Sequence, residues 1–220
     1  GASERDPNPM NYHPAIEARD VIELLNDLGL DRAVIVGTSR GGLVAMVIAA
    51  MAKDRLAGVL LNDIGPELAP EGLAAIMTYL GVAPKAKTLA EGAKALEARM
   101  GAAFPGLGPE RWLELAGRWF GEGPDGLTLN YDPKLRDAVE AASAQPAADM
   151  WPLFDALADL PVAVVRGANS DLLSPATLAM MQARRPDLIV AEVPDRGHVP
   201  FLDEPEALAA LEALLARVSD

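Results

Sequence analysis

Two hydrophobic periods alternate along this chain. A polar, Pro-rich loop from Gly1 to Pro14 leads into a helical pattern over 15–28, with Ile16, Val21, Leu24 and Leu25 on one face and Gly29 as the stop. Ala33-Val-Ile-Val36 is then a short β-branched run of the kind that parallel strands bury on both faces. An apolar helix is predicted from about Leu43 to Lys53, and a second buried strand over Gly58-Val-Leu-Leu-Asn62. From Pro66 to about Leu160 the strand runs vanish, and helical segments alternate with Gly/Pro breaks such as Gly81, Pro105, Gly108 and Gly121-Glu-Gly-Pro124. The strand–helix rhythm resumes with a strand at Val162–Val165, a helix at Pro175–Arg185, a strand at Leu188–Glu192 and a final helix at Pro205–Val218. Such alternation on both sides of a helical block predicts an α/β class: a mostly parallel sheet with helices on both faces, and a helical cap inserted in it. Residues 1–65 and 161–220 form the core in this reading, and 66–160 the cap.

Composition narrows the partners. Nineteen basic against 32 acidic residues leave a net charge of −13, which repels phosphate backbones and anionic lipid. Nucleic acid and membrane are therefore poor partners, and a small-molecule substrate is the expectation. The absence of cysteine removes disulfides, thiolate metal sites and Cys nucleophiles. No apolar run reaches the length of a membrane span, and the first residues lack the basic start and apolar centre of a signal peptide, so a cytoplasmic location is the default.

The chemistry concentrates at Gly37-Thr-Ser39-Arg-Gly41, between a predicted strand and a predicted helix. A sharp strand-to-helix turn holds a serine in a strained conformation with its hydroxyl exposed, and it needs glycines nearby so that the backbones can pass. Ser39 is thus the candidate nucleophile, with Gly37 and Gly41 as the elbow glycines. The backbone N–H of Arg40 is the expected oxyanion donor, at a helix N-terminus that favours negative charge.

A serine hydroxyl needs a base. His13 lies in the N-terminal loop and reads as a cap or a solvated side chain. His198 follows the last predicted strand, at the same carboxyl edge of the sheet as Ser39. The imidazole in turn needs a carboxylate to hold its tautomer. Asp171 follows the strand at Val162–Val165 and gives the chain order Ser39, Asp171, His198. Asp63, at the end of the second strand, is the competing candidate, while Asp195 reads as a solvated loop charge. Glu110 and Glu114 read as a solvated helix face. Tyr79, Trp112, Trp119 and Trp151 fit the cap's own core better than an acyl pocket.

Four motifs, Gly37-Thr-Ser-Arg-Gly-Gly42, Leu61-Asn-Asp-Ile-Gly-Pro66, Arg166-Gly-Ala-Asn-Ser-Asp171 and Asp195-Arg-Gly-His-Val-Pro200, together resemble the α/β-hydrolase superfamily. The likeness is to its lidded branch of esterases, lactonases and carbon–carbon bond hydrolases. It implies the fold and the Ser39, Asp171 and His198 assignment, and a serine hydrolase acting on a small ester or related carbonyl compound. No metal or organic cofactor is required. A C–C bond hydrolase using the same triad is the alternative, and a non-catalytic ligand-binding member or an incomplete fragment are the others.

One departure stands out. In that family several strands precede the nucleophile strand, and a loop after one of them supplies a second oxyanion donor. Here no strand is predicted before Ala33, and Gly1–Pro7 resembles the loop that follows those strands. The expectation is that the N-terminal strands come from a longer or a separate chain, since the nucleophile strand would otherwise form an exposed apolar edge.

Overall fold

A computed structural model describes residues 4–145 and 147–219; the first three residues of the predicted N-terminal loop lie outside these. The chain folds as two compact units, Gly1–Tyr12 with Ala74–Pro146, and His13–Leu73 with Ala147–Asp220.

The second unit carries the sheet. Its strands are β1 (Ala33–Thr38), β2 (Leu56–Asn62), β5 (Val162–Gly167) and β6 (Ile189–Val193), all parallel, in the order β1-β2-β5-β6. Each contains the run of β-branched or aliphatic residues that predicts it. β5 is buried at every position, as a strand covered on both faces must be. At one edge β1 has no neighbour among the described residues beyond β2, and Val36 is 46% exposed there.

Helices cover both faces. Helix α1 (Pro14–Asp27) starts on the imidazole of His13, whose Nδ1 accepts the Ala15 N–H, so this histidine is a cap. Helix α2 (Arg40–Ala52) packs on the face of β2 that bears Leu61, because Gly42 brings its backbone against that side chain. Helix α9 (Pro205–Ser219) takes the alternate face, where Leu60, Ala163, Val165, Val193, Ala210 and Leu214 form one apolar cluster. Burial of these side chains contributes on the order of 1.5–3 kcal/mol for each large one. Helices α7 (Trp151–Asp155) and α8 (Pro175–Arg184) complete this unit.

The first unit holds α4 (Leu89–Met100), α5 (Pro109–Trp119) and α6 (Leu135–Ser143), with α3 (Pro70–Met77) crossing the boundary. It also contains an antiparallel hairpin, β3 (Phe120–Gly123) and β4 (Gly126–Leu129), where the sequence pattern predicts no strand. Gly121-Glu-Gly-Pro124 reads as a break, yet Pro124-Asp125 is a tight turn and Phe120 and Leu127 bury their side chains. Strands this short, with glycine at alternate positions, give almost no period-2 signal.

The unit boundaries also differ from the predicted ones. The N-terminal loop belongs with the helical unit: Tyr12 donates to Asp132 at 2.8 Å, and Lys134 Nζ donates to the Pro7 carbonyl at 3.2 Å. Residues 66–73 and 147–160 belong with the sheet. Phe154 and Leu157 are fully buried there, and Trp151 donates its indole N–H to Glu67 at 2.6 Å. Polar ties across long sequence separations decide both boundaries.

Candidate active site

Ser39 stands between β1 and α2 at φ 50°, ψ −119°. This is the strained left-handed region that a strand-to-helix elbow imposes. Two contacts enforce the turn. The Ser39 N–H donates to the Asn62 carbonyl at 3.0 Å, and the Gly42 N–H to the Ser39 carbonyl at 2.8 Å. A Cβ on Gly37 would lie 2.6 Å from the Gly41 carbonyl oxygen, so no side chain fits at Gly37. The second steric requirement falls on Gly42, where a Cβ would lie 2.3 Å from Ile64. At Gly41, expected from the motif to be the second elbow glycine, a Cβ meets nothing within 4 Å. The backbone passes its neighbours one residue later than the motif suggests.

Arg40 is the first residue of α2, which puts its N–H at the helix N-terminus beside Ser39. Its guanidinium turns away to Glu17 on α1, at 3.0 Å.

His198 lies in the loop after β6, with its side chain 9% exposed. Its Nε2 is 2.8 Å from Ser39 Oγ, and its Nδ1 is 2.7 Å from Asp63 Oδ2. The carboxylate on the imidazole is therefore that of Asp63, not Asp171. Asp63 is fully buried and follows β2 at φ 56°, with its own N–H bonded to Val165. Asp171 is exposed. The reason is the strand order. β2 lies between β1 and β5, with Asn62 in register with Thr38, so the residue after Asn62 emerges beside the Ser39 turn. Chain order carries no information about which strand is adjacent to which.

The Arg166–Asp171 segment has a different part in this arrangement. Gly167 donates its N–H to Asp63 Oδ1 at 3.0 Å, and Ser170 donates its hydroxyl to Asp63 Oδ2 at 2.6 Å. The Ser170 oxygen in turn accepts the N–H groups of Leu172 and Leu173. Arg166, 3% exposed, braces the same loop by donating to the carbonyls of Ala168, Ser170 and Leu173. A buried carboxylate is costly unless hydrogen bonds compensate it, and these supply that compensation.

Two further residues escape the sequence pattern. Asn62, 1% exposed, donates to Thr38 Oγ1 at 3.2 Å and to the Pro200 carbonyl at 3.0 Å, tying β1 to the histidine loop. Glu204, 6% exposed, accepts the N–H groups of Phe201 and Leu202 and the Arg196 guanidinium, so it closes that loop from its far side. A polar residue ending a buried apolar strand was the available signal for Asn62; Glu204 had none. Among the described residues no cluster of three or more His, Cys, Asp or Glu could hold a metal ion, and no helix is long and apolar enough to cross a membrane.

Comparison with known proteins gives the family of the chain. Residues 1–211 match the family model described as the alpha/beta hydrolase family. A 3-hydroxybutyrate-oligomer hydrolase of Cupriavidus necator is 39% identical over 198 residues, covering 86% of this chain and 67% of the relative. A 2-(acetamidomethylene)succinate hydrolase of Mesorhizobium japonicum is 28% identical over 210 residues, 95% of this chain and 72% of the relative. Among solved structures, an alpha/beta hydrolase of Novosphingobium aromaticivorans superposes with a TM-score of 0.90 at 42% identity, covering 99% of this chain and 76% of that one.

Proposed function

Because the chain belongs to the alpha/beta hydrolase family, we propose that it is a serine ester hydrolase with Ser39 as nucleophile, His198 as base and Asp63 as acid. The observation that carries this is the unbroken chain of contacts from Ser39 Oγ through His198 to Asp63, at 2.8 and 2.7 Å. A carboxylate at Nδ1 favours the tautomer with the proton on that nitrogen, which leaves Nε2 to accept the Ser39 hydrogen. Oγ then attacks the ester carbonyl as its proton passes to Nε2. The Arg40 N–H and the N-terminus of α2 stabilise the oxyanion. The imidazolium protonates the leaving alkoxide, and a water activated by the same nitrogen releases the acid.

A second oxyanion donor besides the Arg40 N–H belongs to this reading. Without it the rate falls roughly a hundred- to a thousandfold. For the substrate we take a short linear ester of a 3-hydroxy acid, on the strength of the 39% identity to the 3-hydroxybutyrate-oligomer hydrolase.

Labelling with a fluorophosphonate tests the nucleophile. The native chain takes one label, at Ser39, and Ser39→Ala takes none. If the folded native chain stays unlabelled while a known serine hydrolase reacts, the enzyme reading fails. Turnover of the linear 3-hydroxybutyrate dimer against p-nitrophenyl butyrate tests the substrate class; hydrolysis of the simple ester alone would refute the oligoester.

A further inference from the structure

The helical unit contains a cavity of about 330 Å³ built from its own residues. That volume is at the lower end of the range that small-molecule sites occupy, roughly 300–1,000 Å³. Its walls are apolar and partly aromatic: Tyr79 and Trp119 lie 5.2 Å apart between ring centroids, with Leu96 and Leu129 beside them. These rings are thus not all given over to the unit's core. Trp112, 2% exposed and packed edge-on to Phe104, is the one that fills the core.

The charge of the lining is opposite to that of the protein. The chain has 32 acidic residues against 19 basic ones, yet no Asp or Glu lines this cavity, while Lys85 and Arg99 both do. Both are exposed, which puts them at the mouth. The Arg99 guanidinium lies over the Tyr79 ring, 5.6 Å from its centroid, an arrangement that orients the cation without neutralising it. Tyr131 adds a polar group: its oxygen accepts the Gly81 N–H at 3.0 Å, so its own hydrogen remains to donate.

An apolar, aromatic-walled cavity with two cations and a phenol hydroxyl complements an organic anion with a compact apolar body. We propose that this cavity binds a small organic carboxylate carrying an aryl or short acyl group. The body packs against Tyr79 and Trp119, and the carboxylate meets Arg99 and Lys85. None of Ser39, His198 and Asp63 lines this cavity.

Calorimetric titration of the native chain with 3-phenylpropionate and its neutral isostere 3-phenylpropanamide tests the assignment. The acid should bind about tenfold more tightly than the amide, the effect of a charge-assisted hydrogen bond. In the double variant Lys85→Gln/Arg99→Gln, whose exposed positions leave the fold intact, the preference should fall to about one while the amide's affinity is unchanged. Tyr79→Ala should weaken both ligands. Absence of saturable binding, equal binding of acid and amide to the native chain, or a preference that survives the double substitution each overturns the proposal; the last would place the carboxylate elsewhere on the chain, the Ser39 region included.

Discussion

One oxygen of Asp63 serves two partners: Oδ2 accepts the Ser170 hydroxyl at 2.6 Å and pairs with His198 Nδ1 at 2.7 Å. The orientation of the imidazole toward Ser39 therefore depends on a loop 107 residues away from the carboxylate in sequence.

The acid assignment is open to direct comparison. Asp63→Asn should lower kcat for ester turnover by about 10⁴, since an amide at Nδ1 favours the wrong imidazole tautomer. Asp171→Asn should leave turnover within about twofold, because an exposed substitution away from the imidazole changes little. Steady-state kinetics on the two variants decides the matter, and the opposite ranking would return the acid to Asp171.

Ser170→Ala removes one of the donors to a buried carboxylate. The variant should lose about 1–3 kcal/mol of stability in urea unfolding, the cost of leaving a buried acceptor short of a partner. Turnover should fall about tenfold as the Asp63 side chain loosens. Ser170→Thr, which keeps the hydroxyl, should recover most of both losses.

The glycines of the turn should separate sharply. Gly37→Ala and Gly42→Ala each drive a Cβ into atoms closer than 3 Å, and overpacking of this kind costs typically about 1–3 kcal/mol or more. Gly41→Ala meets open space and should melt within a few degrees of the native chain. Thermal unfolding followed by circular dichroism distinguishes the three.

A pH-dependent contribution to stability comes from Asp187. The hydrogen bonds from Arg185, at 2.9 and 2.5 Å, hold its carboxyl below the ordinary value of 3.8. A depressed acid stabilises the fold above its unfolded pKa and loses that contribution as pH falls through the folded one. Asp187 is half exposed, so Asp187→Asn should cost at most about 1 kcal/mol at pH 7. The difference should shrink as pH drops below 3.8. A cost that stays constant down to pH 2 would show that the pair contributes nothing electrostatic.

Hydrophobic period alone locates β1, β2, β5, β6 and the helices between them, because each of these segments is buried on a regular face and burial imposes that period on the sequence. The Ser39 turn and the histidine beside it were legible for a related reason. Ser39 sits in a turn whose steric demands appear as local glycines, and His198 had only a capping histidine, His13, as its rival. The carboxylate that meets the imidazole was not legible. Asp63 and Asp171 both follow a strand, and only the adjacency of β2 to β1 in the sheet, with the turn at Asp63, places one of them on the imidazole. The same holds for Gly42 in place of Gly41, for Ser170 and Glu204 as supports, and for the β3–β4 hairpin. What is encoded within a few residues, such as burial period and turn sterics, could be read along the chain; which distant side chains share a hydrogen bond is a property of strand order, and only the folded sheet supplies that.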